Sequence, residues 1–300
     1  MWIDNFYKCY YDKNITGEII NNKCIPMKNE HIPHQLYKYT RAKYAKKILE
    51  DNLIYIPNLN ELNDPYEAYI FFNKSNFKEI LYEKTINELK NSERRKGRDL
   101  RKDNIRKITD NITENKLNEM IENYKKNLSL ICLSQHNNIN PMWGNYADKH
   151  YGVCIEYDLK NTSDEYFKNL CFPLHYVTKN ENEKILKSRN NLVPQDIILY
   201  EPVLKKSYDW NYEHEWRIII DKLRPNIQEK IKYEKSEDNE TKEFIKFIKP
   251  TGIYLGLRIE EKYEKEILEI CKQKEINVSK MEIDDSNYNI YPKELLKFKK

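Results

Sequence analysis

Short apolar segments separated by polar turns are the feature that most restricts the folds open to this chain. They are rich in β-branched and aromatic residues and have the length of strands, at 35–40, 53–56, 128–134, 152–157, 172–177, 216–220 and 252–256. A charged stretch of helical character at 74–127 separates the early segments from the later ones. We therefore predict an α+β fold whose mixed, mostly antiparallel β core carries a helical insertion and flanking helices.

The length of the chain favours one domain with an insertion. At 300 residues it is only marginally long enough for two domains. We predict a single α+β domain over 1–300, with an N-terminal extension at 1–35, the charged helical insertion at 74–127 and a C-terminal strand and helix region at 222–300. The basic tract at 94–102 has the character of a solvated helix face, and contact with an anionic partner is the alternative.

Charge and cysteine content limit the classes of partner and compartment. Lys and Arg number 52 against 48 Asp and Glu, a balance that gives no indication of nucleic acid, although it leaves nucleic acid possible. The six cysteines form no C-x-x-C pair, which favours reduced thiols over a zinc or disulfide framework. No signal-peptide pattern and no run of about 18 apolar residues occurs. We predict a cytoplasmic protein without a membrane partner.

Polar clusters at the ends of the predicted strands are the places where functional side chains are expected. Their candidate residues are Lys38 and Tyr39, followed by Arg41; Asn63, Asp64 and Glu67; Ser134, Trp143 and Tyr146; and Glu213, Glu215 and Arg217. Trp143 and Tyr146 have helical spacing, so they form either a stacking wall for a flat ring or a pair within the core.

Two glutamates, Glu213 and Glu215, open the strand predicted at 216–220. The period of two along a strand would place both carboxylates on the same face. Carboxylates held that close raise each other's pKa unless a basic group such as Arg217 or Lys38 lies near them. On residue types alone, a structural salt bridge at a sheet edge is the simpler interpretation, and a functional carboxylate pair is the alternative.

The sequence lacks the signatures of several common kinds of functional site. The histidines His136, His150 and His214 show no metal-binding spacing, so no metal is expected. Cys132 and Cys154 alternate within apolar segments, which is typical of buried thiols rather than nucleophiles. The chain has no P-loop, no G-x-G-x-x-G and no G-x-S-x-G motif, so the usual nucleotide-binding and hydrolase signatures are missing.

The order of the clusters resembles that of a bacterial protein family of unknown function numbered 2971. The matching clusters lie at 36–40, 62–67, 132–134, 142–148 with Gly152, and 213–217. Together they span about residues 35–222. This resemblance is specific as a family label, but it implies no activity.

A second resemblance is to the ADP-ribosyltransferases. Those enzymes share three elements in a fixed order along the chain. The first is a strand that carries a basic residue or His, the second is a strand that ends in a Ser-centred motif, and the third is a strand that opens with Glu or Glu-x-Glu. Lys38, Ser134 and Glu213-x-Glu215 follow this order here. Lys38 stands where the DNA-modifying branch of that family has His.

The second resemblance implies an ADP-ribosyltransferase-like core and NAD as the substrate. Cleavage of the nicotinamide–ribose bond builds positive charge on the ribose, which a carboxylate stabilises. The implied roles are Glu215 as the catalytic carboxylate, Glu213 as the residue that orients the acceptor, Lys38, Tyr39 and Arg41 as cofactor anchors, and Ser134, Trp143 and Tyr146 as pocket residues.

We therefore predict an NAD-dependent ADP-ribosyltransferase or NAD glycohydrolase, of the kind found among bacterial toxins and phage-defence effectors. Its partner would be a nucleotide-type small molecule, with a macromolecular acceptor still unidentified. A non-catalytic module that binds a nucleotide or peptide is the first alternative. The second is a metal-dependent nuclease or hydrolase whose acidic set is Asp64, Glu67 and Glu215.

Overall fold

The computed structural model describes residues 2–12, 15–64, 82–83, 86–91, 102–178, 200–235 and 241–298. Most of the apolar segments form strands there, as their length and residue types predict. The strands are β1 (Leu36–Thr40), β2 (Leu53–Tyr55), β3 (Leu128–Ser134), β4 (Val153–Tyr157), β5 (Cys171–Pro173), β6 (His175–Val177), β7 (Lys205–Ser207), β8 (Glu215–Asp221), β9 (Ile231–Lys235), β10 (Thr241–Lys246), β11 (Gly252–Leu255), β12 (Asn277–Asp284) and β13 (Asn289–Leu296).

Eight of these strands form the central sheet, in the order β13-β12-β11-β4-β1-β3-β8-β5. Within it, β11 and β12 pair in parallel and the other neighbours pair antiparallel. Smaller sheets are formed by β2, β10 and β9, and by the parallel pair β6 and β7. The prediction of an α+β fold with a mixed, mostly antiparallel sheet is confirmed.

Helices surround the central sheet and come from all parts of the chain. They are α1 (Trp2–Tyr10), α2 (Gly17–Ile19), which continues as a π-helical segment (Ile20–Cys24) into α3 (Ile25–Glu30), then α4 (Ala45–Asp51), α5 (Lys102–Asn127), α6 (Asn140–Asn145), α7 (Glu165–Asn169), α8 (Pro225–Gln228) and α9 (Glu261–Lys274). The chain turns through 3-10 helices at Ala42–Tyr44, Leu59–Glu61, Glu201–Val203 and Tyr208–Glu213. Within the predicted insertion, α5 is described; of the basic tract 94–102, residues 94–101 lie outside the described residues.

The central strands β3, β4 and β8 are buried on both of their faces. On one face, Leu133 and Trp216 belong to the larger apolar cluster, which also contains residues of α4 and α9. On the other face, Ile219 lies in a second cluster with Phe6 and Tyr7 of α1. This alternation along β3 and β8 follows from the period of two in a strand.

The pairing of β1 with its two neighbours is unequal, and this positions the site. Against β4, β1 pairs along its whole length, from Leu36 with Tyr157 to Thr40 with Val153. Against β3, its register contains one pair, Tyr37 with Ser134. The two strands therefore diverge beyond this pair, and the residues that follow Tyr37 border a gap in the middle of the sheet.

The turn that leads from α6 into β4 has an unusual backbone. Asp148, Lys149 and His150 have φ values of 51°, 54° and 71°, the left-handed region in which a side chain is unfavourable. Gly152 follows, and a Cβ added there would lie 2.3 Å from the Thr40 carbonyl oxygen and 2.7 Å from that of Ala147. The absence of a side chain at this glycine is therefore what lets the turn pack against the end of β1.

We expect Gly152→Ala to lower the free energy of unfolding by roughly 2 kcal/mol, because the added methyl group overlaps backbone atoms that cannot rotate away. Urea unfolding monitored by circular dichroism measures the change. Gly144→Ala is the matched control, since a Cβ there meets nothing within 4 Å. A Gly152→Ala protein as stable as the Gly144→Ala protein would contradict the close approach.

At the exposed turn residue Lys149, glycine should be the more stable choice. Relief of the left-handed strain, about 1–2 kcal/mol, exceeds the entropy cost of glycine, about 0.5–1 kcal/mol. We expect Lys149→Gly to have a higher urea midpoint than Lys149→Ala, which removes the same long side chain but keeps its Cβ. Equal midpoints would argue against the left-handed conformation.

Candidate functional site

A cavity of ≈ 320 Å³ lies at the gap between β1 and β3. Among the residues that line it are Lys38, Tyr39, Tyr146, Lys206, Glu213 and Glu215. A second cavity, of ≈ 270 Å³, shares Lys38, Tyr39, Tyr55, Pro57, Asn145 and Tyr146 with the first. The two cavities are therefore adjacent parts of one cleft, with a size in the range of small-molecule sites.

Glu213 and Glu215 reach this cleft by a different route from the one the sequence predicts. Glu213 is the last residue of the 3-10 helix Tyr208–Glu213, and Glu215 is the first residue of β8. His214 between them has a left-handed backbone, with φ of 44°. The proposed two-residue strand period therefore does not apply to Glu213, and a turn brings the two carboxylates together instead.

A buried network of charges holds the two carboxylates. The Lys206 Nζ donates to Glu213 Oε2 at 2.7 Å and to Glu215 Oε2 at 3.3 Å. The Arg217 guanidinium donates from Nε to Glu215 Oε1 at 2.7 Å and from Nη2 to Glu215 Oε2 at 3.1 Å. Arg217 also donates from Nη1 to the Val203 carbonyl oxygen at 2.9 Å. All four charged side chains are buried, so the ion pairs are shielded from water.

The network separates the proton affinities of the two glutamates. Burial alone would raise the pKa of Glu215, but the nearby charges of Arg217 and Lys206 outweigh it and lower the pKa to about 2. For Glu213, burial and the negative charge of Glu215 raise the pKa, and the charge of Lys206 opposes this only in part. Such a split between neighbouring carboxyl groups is typical of sites where one stays ionised while the other exchanges a proton.

Tyr146 and Asn63 extend the network towards the cleft. The Tyr146 hydroxyl donates to Glu213 Oε1 at 2.7 Å and accepts from Asn63 Nδ2 at 2.8 Å. This chain of hydrogen bonds links the segment after the 3-10 helix Leu59–Glu61 to the end of α6. Asn63 and Tyr146 thus meet in space although 83 residues separate them in the chain.

Lys206 is a residue of this network that sequence reasoning missed. It lies in the short strand β7, and its Nζ is 4.8 Å from the centroid of the Trp210 ring. Its neighbour Lys205 pairs with Glu201. In the sequence, Lys205-Lys206 is an ordinary basic pair, so the only signal was the need for a cation near Glu213 and Glu215.

The remaining candidates occupy different positions around the cleft. Lys38 lines both cavities, and burial lowers its pKa. Arg41 is exposed and lines the second cavity. Ser134 is buried outside the lining residues, where its Oγ donates to the Glu213 carbonyl oxygen at 2.7 Å. Trp143 is fully buried, with its indole N–H donating to the Asn137 carbonyl oxygen.

The acidic cluster that follows Asn63 contributes less to the cleft. Asp64 is buried and is not among the residues that line the two cavities, and Glu67 lies outside the described residues. In the part of the chain that the structure describes, no group of three or more His, Cys, Asp and Glu residues could hold a metal ion. No helix in that same part is long and apolar enough to cross a membrane.

We expect Lys206→Met to lower the free energy of unfolding by about 3 kcal/mol, because two buried carboxylates lose a shared cation. Lys206→Met with Glu213→Gln should recover at least about 1 kcal/mol, since it removes one of the unpaired charges. Urea unfolding of both variants and the parent measures this coupling. Lys206→Met should also lose stability as the pH rises from the pKa of an unfolded glutamate to the raised pKa of Glu213 in the folded protein. Over this range the unfolded protein releases the proton more readily than the folded protein does. A double variant no more stable than Lys206→Met would refute the coupling.

Comparison with known proteins links this site to a family. No curated protein and no solved structure matches the chain. A family described as "Protein of unknown function (DUF2971)" matches residues 142–218, a segment that contains Tyr146, Lys206, both glutamates of the network and Arg217. The resemblance to this family is confirmed over residues 142–218, where the chain is similar to the DUF2971 proteins of unknown function. The match includes the clusters at 142–148 and 213–217, whereas those at 36–40, 62–67 and 132–134 lie outside it.

Proposed function

We propose that the protein cleaves the nicotinamide–ribose bond of NAD, as an ADP-ribosyltransferase or an NAD glycohydrolase. The observation that carries this proposal is the convergence of Lys38, two aromatic rings and two carboxylates on one cleft in the gap between β1 and β3. The order of Lys38, Ser134 and Glu213-x-Glu215 along the chain agrees with that assignment.

The two cavities of the cleft differ in the charged residues that line them. The second cavity is lined by Lys38, Arg41 and Lys47, and its described lining residues include no carboxylate. Lys47 is itself paired with Glu234. NAD carries an anionic pyrophosphate and a cationic nicotinamide ring. The pyrophosphate would therefore lie near Lys38 and Arg41, with the nicotinamide riboside beside the buried glutamates.

Glu215 has the properties required of a residue that stabilises positive charge on the ribose. Arg217 and Lys206 keep it ionised, and the bidentate contact with Arg217 fixes its orientation. A fixed carboxylate in a buried site stabilises developing positive charge more strongly than the same group in water. Tyr39 and Tyr146 supply ring surface in the same cavity for the nicotinamide.

Incubation of the purified protein with NAD tests the proposal, with released nicotinamide quantified by chromatography. We expect release by the parent and a loss of about 100-fold or more in Glu215→Gln, as when one preorganised electrostatic group is removed. Glu156→Gln is the matched control, because Glu156 is also a buried hydrogen-bonded glutamate but does not line either cavity.

The outcome separates the proposed activity from its alternatives. The proposal would be contradicted if the protein released no nicotinamide and NAD did not raise its melting temperature. A rise in melting temperature that persists in Glu215→Gln, without turnover in either protein, would favour a binding module instead.

A further inference from the structure

The burial of Glu213 restricts which acceptor can approach it. Its side chain is 2% exposed, although it lines the cavity. The Tyr146 hydroxyl donates a hydrogen bond to one carboxylate oxygen and the Lys206 ammonium donates to the other, at 2.7 Å each. A protein side chain or a nucleic-acid base would have to bring its own backbone close to this buried carboxylate. Water meets no such restriction.

The two glutamates differ in their remaining capacity to accept hydrogen bonds. Glu215 accepts from Arg217 twice and from Lys206 once. Glu213 accepts once at each oxygen, from Tyr146 and from Lys206. Because a carboxylate offers about four acceptor sites, Glu213 keeps room for a water molecule. Glu213 is therefore better placed than Glu215 to bind and deprotonate water.

We propose that the acceptor is water and that Glu213 is the base that activates it, so that the protein is an NAD glycohydrolase. This inference rests on the proposed cleavage of NAD. The water oxygen forms a bond to C1′ of the ribose as the bond from C1′ to the nicotinamide nitrogen breaks. The bonding electron pair stays on that nitrogen and neutralises the ring. The water proton passes to the Glu213 carboxylate and then to solvent, leaving ADP-ribose and nicotinamide.

Several charged or titratable groups surround Glu213 and set its proton affinity. They are Lys206 from β7, Glu215 from β8, Tyr146 at the end of α6, Tyr176 from β6 and Tyr212 from its own 3-10 helix. Burial and the charge of Glu215 raise the pKa of Glu213, which suits a base that must also release its proton. The hydrogen bond from Tyr146 acts in the opposite direction. Tyr146 is thus a positioning residue that tunes the base.

The acceptor is identified by following the ADP-ribose label. The parent protein is incubated with NAD labelled in its adenosine half, together with a mixture of cell protein and nucleic acid. We expect one free labelled ADP-ribose for each nicotinamide released. Label retained on protein or nucleic acid would overturn the assignment of water while leaving NAD cleavage intact. Absence of nicotinamide release would overturn both.

Variants test the role of Glu213 by the pH dependence of NAD cleavage. The rate of the parent should fall as the pH drops and Glu213 becomes protonated. Tyr146→Phe should move this acidic limb to higher pH, because it removes the hydrogen bond that favours the ionised carboxylate. Tyr254→Phe is the matched control, since its hydroxyl contacts Glu156 and it lines neither cavity. An acidic limb at the same pH in Tyr146→Phe would contradict the role of Glu213 as the base.

Substitution of Glu213 itself is tested together with a control for folding. Glu213→Gln should lower the hydrolysis rate by about 100-fold or more, the usual contribution of a general base. It should retain the rise in melting temperature that NAD gives the parent, because Lys38 and Arg41 are unchanged. Hydrolysis at the parental rate would overturn the assignment. If this variant fails to fold, the Tyr146→Phe pH profile decides.

Discussion

The buried pair between Glu215 and Arg217 is the interaction on which the rest of the site depends. Two charges inside a sheet are unfavourable unless their donors and acceptors are satisfied, so each one recruits further partners. Arg217 fixes the 3-10 helix Glu201–Val203 through the Val203 carbonyl oxygen. That contact places the following strand, β7, so that Lys206 faces both glutamates. Arg217 thus orients Glu215 and also helps to position Lys206, the cation that both carboxylates contact.

The network also keeps the glutamate end of the cleft close to neutral, because Lys206 and Arg217 offset the charges of Glu213 and Glu215. Arg217 and Lys206 contact the acidic pair, so they do not extend the positive surface near Lys38 and Arg41. The negative group of a ligand would therefore be drawn to the end with Lys38 and Arg41, whereas the glutamate end would add little net charge.

The sequence predicts much of the frame and part of the site. Short apolar segments locate β1, β3, β4 and β8, because a strand buried on both faces leaves a nearly continuous apolar run in the sequence. The order of the motifs selects Lys38, Glu213 and Glu215, which do meet at one cavity. Local sequence patterns do not predict the positions of the other residues of the site. The spacing of Trp143 and Tyr146 fits either a stacking wall or a core pair, and only the structure shows that Trp143 packs edge-on against Tyr39 in the core. Lys206 resembles any solvated lysine until its long-range partners are known.

The single register pair between β1 and β3 has a mechanical consequence. It divides the central sheet into a half with β13, β12, β11, β4 and β1 and a half with β3, β8 and β5. Lys38 and Arg41 belong to the first half or to the turn after it, whereas both glutamates of the network belong to the second. Few ladder hydrogen bonds therefore join the two halves within this sheet. Residues of both halves nevertheless belong to the same apolar cluster. Along this line, the sheet is therefore held together by side-chain packing on its faces.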